Sequence, residues 1–370
     1  MRDLIDILSA VRDFDARKTP YAVATVVNVS GSSYRRPGAR MFLAGSETVG
    51  AISGGCLEAD VAEHAKQVIT TGEPLVVHYD TSFENDSIMG LGIGCDGLID
   101  VLIERLPLPA TAPCYTSFLA QCVARHEIGV LATVFAVSGA KARVGSRLIL
   151  QRDGTTSDDI ANEALRTAIL TDAQSALASG KPLVPAYVFG SATVDVLIEV
   201  VRPPLPLFVF GAGHDAMPLA ALATILGWEV TVVDPRASFA NTANFPSANR
   251  VVACHPEALR EHVELAAPAV AVVMTHKFEW DKELTRQLIA SPVRYIGLLG
   301  PRKRSERILS MLTDDGALPD DRRGFVRFPV GLDIGAETPE EVAMSIIAEI
   351  QAFVRDRAGG FLKDRDAPIH

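Results

Sequence analysis

The chain has 370 residues, 48% hydrophobic and 22% charged, enough apolar material for two or three packed domains. Its formal net charge of −10 and pI near 5.3 argue against nucleic acid or an anionic membrane surface as the main partner. Five cysteines without CxxC spacing fit neither a disulfide framework nor a tetrahedral zinc site. No stretch approaches the roughly 20 apolar residues of a membrane span, and the first residues carry no signal-peptide core, so a reducing cytoplasm is the expected location.

Apolar residues at Leu4, Ile7, Leu8, Val11 and Phe14 predict a helix over residues 1–16. Tyr21–Val29 reads as a strand, and Arg40–Ala44 and Thr48–Ile52 read as two more joined by a Gly-Ser turn. A helix from Leu57 to Thr71 follows, then a strand over Leu75–Tyr79, a long Gly-, Ser- and Asn-rich loop over Asp80–Cys95, and a strand over Leu98–Glu104. Loops of that length inside a domain are uncommon and often functional.

Within this region Gly50-Ala-Ile-Ser-Gly-Gly-Cys-Leu-Glu58 places Cys56 behind Gly54 and Gly55, where a strand gives way to a helix. Glycines admit close approach of a ligand to the backbone, and a helix N-terminus favours a thiolate. Arg35, Arg36 and Arg40 precede it, and Gly90-Leu-Gly-Ile-Gly-Cys95 supplies a second glycine-flanked thiol. The combination points to a site for an anionic ligand with sulfur chemistry nearby; two buried structural cysteines are the plainer alternative.

The next stretch repeats the first. Ala24-Thr-Val-Val-Asn-Val-Ser-Gly31 recurs 108 residues later as Ala132-Thr-Val-Phe-Ala-Val-Ser-Gly139, and Gly72-Glu-Pro-Leu-Val recurs at the same offset as Gly180-Lys-Pro-Leu-Val. Asp100-Val-Leu-Ile-Glu104 recurs as Asp195-Val-Leu-Ile-Glu199 after only 95 residues, so the second copy lacks the length that holds Gly90–Cys95 in the first. In the second copy Ala164 stands for Cys56, Arg147 answers Arg40, and Lys141 and Ala142 replace the paired arginines. An internal duplication is expected: residues 1–107 carry the site and residues 108–202 keep only its scaffold.

Arg202-Pro-Pro-Leu-Pro206 is a stiff linker. Beyond it, Leu207–Phe210 runs into Gly211-Ala-Gly213-His-Asp-Ala216, a helix, and a second strand, Glu229–Val233, ending at Asp234. Strand, GxGxxA turn, helix, strand and terminal acid form the dinucleotide fingerprint in its required context. Gly211 permits the turn, Gly213 lets phosphate approach, and Asp234 is placed to accept from a ribose, with Arg236 in reach of a phosphate. Asp215 is unfavourable beside a phosphate unless it points away or caps the helix. Further strands over Arg250–Ala253, Ala269–Met274 and Tyr295–Leu299 alternate with helices over Pro256–Leu265, Asp281–Ala290, Arg302–Leu312 and Pro339–Arg355. Residues 203–370 are therefore expected to form a Rossmann-like doubly wound parallel sheet after the duplicated, β-rich α+β region. Its ligand edge would carry His214, Asp234, Thr275, His276, Gly300 and Arg302.

The segments GSSYRRPGARM, GAISGGCLEADV and GIGC-to-VLIE resemble the N-terminal domain of the xanthine dehydrogenase accessory factor (XdhC/CoxI) family. VFGAGHDAMPLA, VVDPR, VMTH, YIGLLGPRKR and VGLDIGAETPEE resemble its C-terminal Rossmann domain. The resemblance implies a cytoplasmic maturation factor that binds the molybdenum cofactor, as molybdopterin or its dinucleotide form. Such a factor retains the cofactor while a cysteine desulfurase supplies a terminal sulfido ligand, then delivers it to an apo molybdenum hydroxylase. It implies Gly54, Gly55, Cys56 and Glu58 as site residues, with Arg36 and Arg40 as anion partners and Cys56 as a possible metal contact; Cys95 joins this set as the second glycine-flanked thiol. Two competing readings remain at this level: an NAD(P)-dependent oxidoreductase using the GxGxxA site, with His214 or His276 as acid–base group, and a Rossmann-type adaptor that binds only proteins. A homodimer is expected from base rates alone.

Overall fold

In the computed structural model, all residues are described except 1, 32, 82–96, 108–111, 140, 266–267 and 366–370. The chain divides into two compact units, one running to Pro203 and one from Pro204 onward.

The first unit opens with helix α1 (Arg2–Arg17) and strands β1 (Tyr21–Gly31), β2 (Arg40–Ala44) and β3 (Glu47–Gly50). Helix α2 (Glu58–Thr71) and strands β4 (Leu75–Asp80) and β5 (Gly97–Leu106) complete the first repeat. The second repeat has α3 (Tyr115–Arg125), β6 (Gly129–Ser138), β7 (Arg147–Leu150), β8 (Thr156–Asp158), α4 (Glu163–Ser179), β9 (Ala186–Phe189) and β10 (Ala192–Val201). Each repeat forms one antiparallel sheet with the same strand order, β3-β2-β1-β5-β4 in the first and β8-β7-β6-β10-β9 in the second.

The central strands are buried on both faces, which is why Tyr21–Val27 reads as an apolar run interrupted only by buried Thr25 instead of an alternation. Ala22, Ala24, Val26, Met41, Val101 and Ile103 pack against Val61, Ala65 and Val68 of α2. Their counterparts Val130, Ala132, Val134, Leu148, Val196 and Ile198 pack against Ile169, Ala173 and Ala176 of α4. The opposite faces meet one another: Val27 and Leu102 of the first repeat cluster with Phe135 and Leu197 of the second. Helices α1 and α3 extend that shared core with Ile7, Val11, Phe14, Phe118 and Leu119. Both α2 and α4 end on a left-handed glycine, Gly72 (φ 77) and Gly180 (φ 68), whose N–H caps the last turn.

The second unit contains β11 (Pro206–Phe210), α5 (Ala216–Ile225), β12 (Glu229–Val233), β13 (Arg250–Val252) and β14 (Val270–Val273). It continues with α6 (Phe278–Ile289), β15 (Tyr295–Leu298), α7 (Arg302–Asp314), β16 (Val326–Arg327) and α8 (Pro339–Val354). The six strands are parallel in the order β13-β12-β11-β14-β15-β16, a Rossmann-like sheet. Helix α8 starts in a capping box, with Thr338 accepting from the Glu341 N–H and Pro339 in the first turn. The helix expected over Pro256–Leu265 is shorter: a 3-10 turn at Pro256–Ala258 and one α-turn at Leu259–His262, after which Val263 is extended. Among the described residues no helix is long and apolar enough to cross a membrane.

Candidate functional site

The two repeats differ most where α2 and α4 begin. Leu57 and Leu165 are equivalent, 108 residues apart and buried at 1% exposure each, and they start the matching apolar stripes of the two helices. Yet α4 begins three residues earlier on that alignment, with Asn162 capping it through the Leu165 N–H at 3.1 Å. In the first repeat this turn is unwound. Residues 51–57 form a loop, and α2 begins only at Glu58 with no side-chain cap from Leu57.

The unwound turn is held by its own residues. Ser53 is buried; its hydroxyl donates to Glu58 Oε2 and accepts from the Gly55 N–H at 3.1 Å and the Leu57 N–H at 3.2 Å. Glu58 Oε1 accepts from the Ser53 N–H at 2.8 Å and the Ile52 N–H at 3.3 Å. Burial alone would raise the Glu58 carboxyl, but the Ser53 hydroxyl and these backbone donors outweigh it and hold the group below its usual range. Glu58 is therefore a positioning residue whose two oxygens are committed to the loop. Gly55 adopts φ 112, and none of the described residues lies within 4 Å of where its Cβ would stand. Gly54 is exposed beside Tyr34. Cys56 is half-buried, and its thiol is in position to donate to Ser53 Oγ at 3.4 Å. The same place in the second repeat has Ala161 for Ser53, Ala164 for Cys56 and Arg166 for Glu58, so the chemistry of the loop is confined to the first copy.

Of the arginines expected around this loop, Arg36 is exposed, and no hydrogen bond or ion pair engages its side chain among the described residues. Arg35 pairs with Asp3 of α1. Arg40 corrects the sequence expectation. It is buried and bound to Glu199 of the second repeat at 2.5 Å, so its guanidinium is not free for an anion. The arrangement is reciprocal, since Arg147 pairs with Glu104 of the first repeat. Arg40 Nη1 donates to Gly38 O and Arg147 Nη1 to Gly145 O, and both guanidiniums lie against the Tyr115 ring, at 5.9 and 4.7 Å from its centroid. Cys95 and the Gly90–Cys95 loop lie outside the described residues. Among the described residues, no group of three or more His, Cys, Asp or Glu side chains is placed to hold a metal ion.

In the second unit the parallel strands bring their C-terminal ends to one edge. Gly211 has φ 119 and a Cβ there would lie 2.4 Å from Met274 O, so only glycine fits where the turns after β11 and β14 meet. Asp234 is buried and accepts from the Ala212 N–H at 2.9 Å, the Arg236 N–H at 2.8 Å, and Arg236 Nε and Nη2 at 2.8 and 2.7 Å. Burial would raise this carboxyl, but the Arg236 and Ala212 donors outweigh it and hold it low. The expected ribose acceptor and phosphate arginine thus satisfy one another, and Arg236 lies 4.4 Å over the Phe239 ring. His214 is exposed, and Gly300 (φ 126) flanks Arg304. Thr275 and Arg304 both serve Asp281, a buried carboxylate that no sequence motif singles out: Thr275 Oγ1 and Arg304 Nη2 each donate to it at 2.5 Å. His276 contacts Asp215 at 2.7 Å.

Comparison with known proteins agrees with this two-part architecture. Residues 207–350 match the XdhC Rossmann domain, and residues 15–80 and 122–187 each match the XdhC and CoxI family. The chain is 31% identical over 329 residues to a probable xanthine dehydrogenase subunit of Bacillus subtilis, covering 89% of this chain and 91% of that one. It is 26% identical over 246 residues to the uncharacterized protein YqeB of Escherichia coli, covering 62% of this chain and 44% of the relative. A crystal structure described as a xanthine dehydrogenase from Bacillus halodurans superposes with a TM-score of 0.75 at 26% identity, covering 95% and 96% of the two chains. The chain belongs to the XdhC and CoxI family.

Proposed function

We propose that this protein is an accessory factor for a xanthine dehydrogenase-type molybdenum hydroxylase. It holds the molybdenum cofactor as cargo at the opened turn of the first repeat, retains it during sulfuration with a cysteine desulfurase, and delivers it to the apoenzyme. Membership of the XdhC family and the names of its relatives support the accessory role. The observation that carries the site is the contrast between repeats: one scaffold forms a capped helical turn in the second copy and an unwound Ser-Gly-Gly-Cys loop in the first.

The donor set suits such a cargo. Open backbone at Gly54 and Gly55 admits close approach of an anionic group, Arg36 offers an exposed cation, and Cys56 offers one sulfur. Among the described residues Cys56 has no surrounding ligand cluster, and one thiol suits a metal that arrives already ligated by its cofactor. Ser53 and Glu58 hold the loop in shape, and Cys56 serves as metal contact or sulfur carrier. The oxidoreductase reading has less support, because Asp234 and Arg236 are engaged with each other. The test is cofactor recovery from protein purified from a molybdenum-replete host. Wild type is expected to carry cofactor and Cys56→Ala to lose it; equal occupancy would move the site away from the first repeat.

A further inference from the structure

The glycine turn after β11 is covered by the chain's own carboxylate. Asp215 precedes α5 but its side chain caps none of the helix N–H groups. Its Oδ2 lies 2.7 Å from His276 Nε2, reaching from the loop after β11 to the loop after β14. Its other oxygen, Oδ1, lies 2.8 Å from the point where a Cβ on Gly213 would stand. The bare face that glycine offers to a phosphate in this fold is thus filled by an anion.

The clasp is fixed from the His276 side as well. His276 has φ 61, in the left-handed region that residues other than glycine rarely adopt. Its neighbour Thr275 is tied to buried Asp281, which is bound in turn by Arg304. The Asp215 carboxylate is 20% exposed, so it is shielded from solvent on most sides while the His276 ring remains 56% exposed.

We infer that Asp215, clasped by His276, is the specificity-determining residue of the second unit: a built-in anion at the phosphate position that keeps affinity for pyrophosphate-bearing dinucleotides low. An incoming pyrophosphate either displaces the carboxylate and breaks the His276 contact, or shares the helix N-terminus with a like charge. The tethered carboxylate competes without the translational entropy loss that a free ligand bears. Its role is independent of the cargo held at Cys56.

Isothermal titration of the full-length protein with NAD⁺ and NADP⁺ tests it, comparing wild type with Asp215→Ala and Asp215→Asn. Asp215→Ala is expected to bind at least one of the two about tenfold or more tightly than wild type, a change of about 1.4 kcal/mol. Asp215→Asn keeps the side-chain volume and loses the charge, so it should gain part of that affinity, and it answers the question if the alanine variant does not fold. No gain in the folded variants overturns the inference, as does micromolar binding by wild type.

Discussion

Removing Glu199 should strand a buried charge between the two repeats. The Arg40 and Glu199 side chains are 9% and 10% exposed, and those of Arg147 and Glu104 are 3% and 5% exposed. Breaking a buried ion pair from one side costs about 3–5 kcal/mol. Glu104 also acts on Arg40 from nearby, which places the expected cost of Glu199→Ala at the lower end, about 3 kcal/mol. In a unit of about 200 residues this lowers the melting temperature by about 6–12 °C. Among the described residues, Nε of Arg40 and of Arg147 has no hydrogen-bond partner, so the pairs are incompletely satisfied. An Arg40→Met, Glu199→Leu double variant should therefore recover more than half of the loss, because apolar replacement of a buried pair is often neutral. Differential scanning calorimetry with urea titration measures both. A loss below about 1 kcal/mol for Glu199→Ala, or a double variant worse than the single one, would refute the burial and mutual compensation of these charges.

Tyr115 is buried, and its hydroxyl has no hydrogen-bond partner among the described residues, so Tyr115→Phe should be neutral or stabilise by up to about 1–2 kcal/mol in urea unfolding. Glu58 should give the opening loop an acid limit: its folded-state carboxyl titrates below the ordinary 4.5, so its contribution is complete above that pH and is lost as pH falls through the lower folded value. The stability difference between wild type and Glu58→Gln should stay constant above about pH 5 and shrink below it; a difference that grows on acidification would contradict the sign. Gly211→Ala combines a 2.4 Å clash with Met274 O and φ 119, and should destabilise the second unit by more than about 2 kcal/mol. Gly316→Ala, at φ 69 with no described residue within 4 Å of the new Cβ, should lose only about 1 kcal/mol.

The parts of the fold readable from the sequence were those set by local pattern. Apolar runs over Leu207–Phe210 and Ala269–Met274 read as strands of a parallel sheet, the second observed as Val270–Val273, and the GxGxxA turn read as a Rossmann start. The duplication was readable because Ala24–Gly31 and Ala132–Gly139 share six of eight residues. Long-range pairing was not readable. Arg40 at the head of β2 looked like a ligand for anions because nothing local shows that the second repeat covers it. A signal was present: Glu104 and Glu199 end the same repeated pentapeptide, and Arg40 and Arg147 head equivalent strands, so each copy keeps both halves of the pair. In the first repeat, Gly54, Gly55 and Cys56 were legible as an unusual strand-to-helix turn. The role of Ser53 was not, since a buried hydroxyl serving Glu58 and three further groups follows only from the loop's conformation. In the second unit, Asp234 and Arg236 were legible as a pair of polar residues at a strand end. That they bind one another is a fact of side-chain geometry.

The central claim is that opening one helical turn in the first repeat creates the cargo site. Its most direct test is to close the turn by writing the second repeat's residues into the first, Ser53→Ala, Gly54→Asn, Gly55→Glu and Cys56→Ala together, and to measure molybdenum cofactor binding by the full-length protein. The account predicts a folded protein whose melting temperature is maintained, because the same scaffold already carries that turn in α4, and whose cofactor binding is abolished. Undiminished binding by the folded, closed variant would contradict it.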